Sequence, residues 1–207
     1  MFNRVVGPIT CCLLFSWGVL AAPRKVDSPP AHYHPSTVGD KLVYKEDDGR
    51  RPMEWALEVT DVQQKGAALI VTLQGADGHK TPAFRYEVSD KGVCKLGEDD
   101  DVHEPPECFL RLPSKKGETW ESTDDREGYR IKYTSAGEEE VEVPAGTFRC
   151  VRVDSECVYD GWTWIRSQWR APRYGLVKEK EVAKDNEHAR ADFIRTTVLK
   201  SFTPGGR

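Results

Sequence analysis

The chain has 207 residues, 31% charged and 38% hydrophobic, a balance that suits one soluble globular domain or two small ones rather than a membrane-spanning protein. Its net charge is −4, and its basic residues cluster only at Arg50–Arg51 and Lys115–Lys116. No basic stripe with interleaved aromatics is present, so nucleic acid and anionic lipid are excluded as expected partners.

Taken in chain order, the N-terminus reads as an export signal. Arg4 supplies a positive start, residues 5–20 form an apolar run broken by Gly7, Pro8 and Gly18, and Val19-Leu20-Ala21 ends in the small residues that signal peptidase needs. Cleavage is expected after Ala21, which removes Arg4 and takes the charge from −4 to −5. The run is shorter than the roughly 20 residues of a membrane span, so no transmembrane anchor is expected after cleavage. Cys11 and Cys12 lie inside the apolar run rather than at its end, which argues against a lipid anchor. The expected location is periplasmic or secreted.

Of the six cysteines, two fall in the signal, leaving Cys94, Cys108, Cys150 and Cys157. Four cysteines in an exported chain imply two disulfides, with three pairings open. Local closure favours Cys94–Cys108 and Cys150–Cys157. The second pair needs a turn near Asp154-Ser155, since seven extended residues span about 23 Å.

Residues 22–36 carry Pro23, Pro29, Pro30 and Pro35 and little apolar content, so they read as a flexible tether, with order starting near Val38. From there an antiparallel meander of about a dozen strands is expected, all-β, over residues 37–203, before a short tail at 204–207. Lys41–Tyr44, Met53–Val62, Ala67–Leu73 and Pro82–Val88 alternate or run apolar, and a further strand follows from Gly92. Thr119–Ser122, Tyr129–Thr134, Glu139–Val143, Thr147–Val153, Thr163–Arg170, Gly175–Val182 and Asp192–Phe202 complete the set. The segment 182–191 has helix formers but no apolar stripe, so it reads as a charged turn.

An internal repeat runs through this pattern. Gly39-Asp40 answers Gly117-Glu118, Val71 and Leu73 answer Val151 and Val153, and Tyr86 with Gly92–Lys95 answers Trp169 with Gly175–Lys178. The implied halves are 37–97 and 116–183. They would join in a strongly curved sheet or open barrel, with 97–115 as a surface crossover rich in acid and proline.

The segment Glu139–Phe148, with Val-Pro-Ala-Gly-Thr-Phe at its end, goes with Gly39–Tyr44, Gly117–Trp120 and Trp169–Lys178. Together these resemble the TapB-like group of small exported bacterial β-proteins. The resemblance spans about residues 35 to 203 and implies an antiparallel half-barrel similar to the lipoprotein carriers LolA and LolB. It implies no catalytic residue. The chain departs from those carriers in lacking amphipathic helices to plug a concave face.

Motifs for chemistry are absent. No Gly-x-Ser-x-Gly, His-Glu-x-x-His, paired CxxC or phosphate-binding glycine loop occurs. His32, His34, His79, His103 and His188 are scattered, and Glu98–Asp101 lacks the glycine and distal glutamate of a calcium loop, so no metal or cofactor is expected. The candidate ligand surface is aromatic: Trp162, Trp164 and Trp169 fall within eight residues, the first two on one strand face and the third on the other. Core packing is the competing role for all three. The expected function is a non-catalytic exported binding or envelope-associated interaction module, with an unknown partner. The alternatives are a carrier of lipid or another apolar ligand on a concave β face, and a hydrolase with convergent carboxylates.

Overall fold

β-Branched and aromatic residues alternate with polar ones almost throughout, and the computed structural model contains strands and no helix among the described residues, 32–76, 82–124, 128–187 and 191–206. The strands are β1 (Lys41–Asp47), β2 (Met53–Lys65), β3 (Ala68–Gly75), β4 (Phe84–Ser89), β5 (Gly92–Glu98), β6 (Asp101–Arg111), β7 (Thr119–Asp124), β8 (Tyr129–Val143), β9 (Gly146–Tyr159), β10 (Trp162–Ala171), β11 (Gly175–Asp185) and β12 (Ala191–Thr203). They form one 12-stranded antiparallel sheet in the order β6-β5-β4-β3-β2-β1-β12-β11-β10-β9-β8-β7. The sheet curls until its two ends, β6 and β7, come side by side, giving a nearly closed barrel with one unsealed seam.

One face of each strand fills the barrel. Leu42 and Tyr44 of β1, Val59 of β2, Val71 and Leu73 of β3, Val88 of β4, Val151 and Val153 of β9, Val177 of β11 and Leu199 of β12 are all buried in a single cluster. Burying each such aliphatic side chain contributes on the order of 1.5–3 kcal/mol.

The seam follows from the sequence of β6. Pro105 and Pro106 have no N–H to donate, so a strand containing them belongs at a sheet edge. Side chains span the gap instead. Trp120 of β7 donates from Nε1 to the Cys108 carbonyl at 2.6 Å, and Arg111 lies 5.5 Å over the same indole.

Each half of the chain is a six-stranded meander, β1–β6 and β7–β12. Their first turns match in detail. Gly39 N–H donates to the Val59 carbonyl at 2.8 Å and Val59 N–H returns a bond to Asp40 at 2.9 Å; Gly117 and Ser135 with Glu118 do the same at 2.8 and 2.9 Å. Gly39 and Gly117 share φ near +86° and +85°, a conformation that favours glycine. Bulges follow at matching places, after Val59 in β2 and after Ser135 in β8. The β12–β1 ladder of one junction thus corresponds to the open seam of the other.

Four expectations are corrected. The segment 97–115 is not a surface crossover, because residues 101–111 form β6 and extend the first half beyond 97. The second half likewise runs past 183, through β12. Tyr129–Thr134 and Glu139–Val143 are one strand, β8, because a bulge between Ser135 and Gly137 absorbs the irregularity. Cys150 and Cys157 are free, since β9 runs unbroken through Asp154-Ser155 and holds them on opposite faces of one strand. Among the described residues, only the expected Cys94–Cys108 disulfide forms, between directly paired residues of β5 and β6.

The tether expected over 22–36 also ends sooner than its prolines suggest. His34 is buried, with its ring 4.7 Å from that of Tyr86. Pro35 packs so tightly on the β10–β11 turn that a Cβ on Gly175 would come within 2.9 Å of its ring. The expected signal segment, 1–21, lies outside the described residues.

Candidate functional site

Strand β10 carries the feature that turns a filled barrel into a partly hollow one. Its lumen-facing residues run Trp164, Arg166, Gln168, Arg170, so a polar stripe enters the interior where the opposite strands supply apolar groups. Cross-strand pairing places these residues in layers. Arg195, Glu181 and Arg166 lie abreast on β12, β11 and β10, and one layer deeper lie Thr197, Glu179 and Gln168.

The upper layer is an ion-pair network. Glu181, 2% exposed, accepts from Arg166 Nε at 2.9 Å and Nη2 at 2.6 Å, and from Arg195 Nη2 at 2.8 Å. Glu46 of β1 lies 3.7 Å from Arg195. In the next layer Gln168 Nε2 donates to Glu179 at 2.6 Å, and Arg166 is 3.8 Å from the same carboxylate. Burial alone would pull the Arg166 pKa down, but Glu179 and Glu181 outweigh it and push it up. Such charges tolerate burial only because they are paired.

Two chambers flank this network. The inner one, of about 280 Å³, has an apolar wall and a polar wall. Leu42, Tyr44, Trp55, Leu57, Leu73, Phe84 and Tyr86 of β1–β4 form the first, and Gln168, Arg170, Glu179, Arg195 and Thr197 of β10–β12 form the second. Tyr44 and Trp55 stack with ring centroids 4.5 Å apart, and the Tyr44 hydroxyl donates to the Leu176 carbonyl at 3.0 Å. Burial raises the pKa of Tyr44, and pushes Tyr86 up to about 12. His34 closes the floor, where burial drives its pKa down to about 3. The neutral ring then donates from Nδ1 to the Pro35 carbonyl at 2.8 Å.

The second chamber, of about 410 Å³, lies beside the seam and is lined by Lys95, Glu98, Asp101, His103, Glu107, Tyr133, Cys157, Trp164 and Arg166, among others. The Tyr133 hydroxyl donates to Glu107 at 2.5 Å, linking β8 to β6 across the seam. Burial, then Glu107, raises the Tyr133 pKa. Burial likewise raises that of Cys157, which keeps it a thiol at neutral pH rather than a thiolate nucleophile.

The three tryptophans separate. Trp164 lines the seam-side chamber, and Trp162 lies beside it with ring centroids 6.5 Å apart. Trp169 lies on the opposite strand face, buried between Arg152 and Lys178, whose charges are 5.2 and 5.1 Å from its ring, with its indole N–H bonded to Glu139. The sequence reading missed Arg166, Gln168, Arg170, Glu179 and Glu181. Their signal is Trp-x-Arg-x-Gln-x-Arg on one strand and Glu-x-Glu on the next, charges on a face that the neighbouring strands make the interior. Among the described residues no three of His, Cys, Asp and Glu gather to hold a metal ion.

No protein-family model matches the chain, and no curated protein matches it. Solved structures do share its fold. One is a candidate exported protein with a YmcC-like fold from Bacteroides fragilis, 15% identical, TM-score 0.56, covering 84% of this chain and 99% of its own. Another is a candidate lipoprotein from Parabacteroides distasonis, 14% identical, TM-score 0.55, covering 85% of this chain and all of its own. At that identity the likeness establishes the fold alone, and it takes in nearly the whole of each of those two chains.

Proposed function

We propose that the protein is a non-catalytic exported module that holds a small ligand inside its barrel. One observation carries the reading: the inner chamber sets an aromatic and aliphatic wall against a wall of guanidinium, carboxylate and amide groups. Such a chamber suits a ligand with one apolar and one polar side. Export is supported by the expected signal segment, the disulfide and the two exported-type neighbours. The finer likeness to the TapB-like group rests on its motifs. The lipid-carrier alternative is served by only half of the chamber, because a fully apolar ligand would leave the polar wall without partners.

Native mass spectrometry of the mature protein from its own host, with extraction of bound small molecules, tests this. One amphipathic small molecule per chain is expected, and its loss is expected in Leu73→Trp, which fills the chamber. A lipid retained by the native protein and lost in Leu73→Trp would favour the carrier instead. A bare mass for the native protein would sink the ligand-binding reading.

A second reading, a docking module, is favoured by the barrel's rim. Met53, Val102, Val158, Tyr159, Trp164 and Ile194 are exposed, and all lie at the end of the barrel where β1 leads into β2 and β9 into β10. Grouped exposed apolar residues mark contact surfaces.

A further inference from the structure

We propose that the inner chamber is a carboxylate site, in which Arg170 holds the carboxylate of a small monoanion whose ring or apolar body packs on Trp55 and Tyr44. The inference rests on the lumen reading above and names the chemistry of its ligand.

Arg170 differs from the other two lumen arginines. Arg166 and Arg195 are held by Glu179, Glu181 and Glu46. Arg170 is 8% exposed, sits two layers below Arg166 with Val151 as its β9 partner, and rests 3.9 Å above the Phe109 ring. Among the described residues no carboxylate lies within salt-bridge distance of it. Its Nε, like that of Arg195, is buried without a hydrogen-bond partner; unlike Arg195, it has no carboxylate at its Nη atoms, and among the described residues its one hydrogen bond is a long one, Nη2 to Gln168 Oε1 at 3.4 Å. A guanidinium buried deep in the barrel, short of hydrogen-bond acceptors and lining a cavity, is costly to fold and is relieved by an anion delivered to it. Burial already pulls its pKa down, and Tyr86, Tyr44, Glu179 and Tyr133 only partly offset that.

The opposing charges set the ligand's valence. Glu46 and Glu179 share the chamber wall with Arg170 and Arg195, and Arg195 is already paired with Glu46 and Glu181, so a second negative charge on the ligand would meet carboxylates and no free cation. That favours a carboxylate over phosphate. Neutral His34 adds no charge to the floor. The stacked Trp55–Tyr44 pair, with Phe84 and Leu73, offers the flat apolar surface for the rest of the molecule.

The test uses benzoate and cyclohexanecarboxylate as probes, benzamide as the neutral counterpart and inorganic phosphate as the dianion, titrated into the protein and into Arg170→Met while the Trp55 indole and Arg170 Nε–H resonances are followed. The carboxylates are expected to shift both resonances in the native protein, and to bind about tenfold or more weakly to Arg170→Met, as loss of a charge-assisted pair requires. Benzamide and phosphate are expected to bind more weakly than benzoate to the native protein. Without probe, Arg170→Met is expected to melt at the same temperature or higher, since it removes an unpaired buried charge and keeps an apolar chain on Phe109. A markedly lower melting temperature would show that Arg170 balances Glu46 and Glu179 structurally, and would overturn the proposal. So would carboxylates that bind no better than benzamide, phosphate that binds as well as benzoate, or carboxylates that do not bind at all. If the carboxylates fail in any of these ways, benzamide that still enters the native chamber and is excluded by Leu73→Trp would leave the lumen reading standing without the carboxylate inference.

Discussion

His34 shows what one buried side chain does to the pH response of the whole protein. Folded, it resists protonation until about pH 3; unfolded, it takes a proton near its ordinary value of about 6.5. Between those values the unfolded state binds more protons, so stability falls as pH falls. His34 accounts for a loss of up to about 1.4 kcal/mol per pH unit across that window. His34→Gln is therefore expected to lie closer to the native protein in urea midpoint at pH 4.5 than at pH 7, and a gap that does not change with pH would count against the argument. Asp40, also buried, works through its carboxylate. Its Oδ2 accepts from the Ser36 and Thr37 amides at 3.2 and 3.0 Å, and Oδ1 accepts from Gly205 at 2.9 Å. Asp40→Ala leaves these amides short of an acceptor and is expected to cost about 2–4 kcal/mol by urea denaturation. Neither role was legible in the sequence. His-Tyr-His among prolines looks like loose chain, and nothing local says that the barrel floor closes on it.

At the scale of elements, glycine placement spoke more clearly than apolar periodicity. The Gly39-Asp40 and Gly117-Glu118 echoes mark equivalent turns because each needs a positive φ. A Cβ on Gly117 meets nothing within 4 Å, so Gly117→Ala is expected to cost only the backbone term, about 1–2 kcal/mol. Gly39→Ala should cost more, because its Cβ would approach Gly205 Cα at 3.3 Å. Thermal unfolding of the two variants side by side checks the difference. At the far end of the two meanders the strand pairing differs by one residue from the alignment the sequence suggests. Val71 pairs with Tyr86, and Val151 with Arg170, so Tyr86 corresponds to Arg170 and not to Trp169. Periodicity failed at two elements for physical reasons. Pro105-Pro106 hid β6, since proline argues against a strand unless the strand is an edge. The bulge at Ser135–Gly137 split β8 in two, since it inverts the alternation that a reader counts. The two errors cancelled, so twelve strands are expected and twelve are observed among the described residues although the two sets differ.

For the whole molecule, the all-β curved sheet followed from composition and alternation, whereas the hollow polar interior did not. Arg166, Gln168 and Arg170 look like solvent-facing residues until the strands opposite them are known. The same holds for the seam, which depends on where two distant strands end up. Because Trp120 and Tyr133 bridge it through side chains, it should open more readily than any ladder. Trp120→Phe removes the bond to Cys108, worth about 1 kcal/mol, and is expected to speed amide hydrogen exchange in β6 and β7 while the β12–β1 junction keeps its rate. Uniform acceleration across the sheet would contradict this.

The bond from Gly205 to Asp40 has a topological result. It brings the two ends of the barrel chain together at the β12–β1 ladder, while the connection between the two meanders, residues 112–118, crosses at the seam. Joining the ends by a short linker and cutting within that connection would give a circular permutant that begins with β7 and finishes with β6, with every backbone ladder of the sheet retained. The chain break would then coincide with the one place where the barrel has no ladder to lose, so the order in which the two halves are synthesised is immaterial to the finished fold.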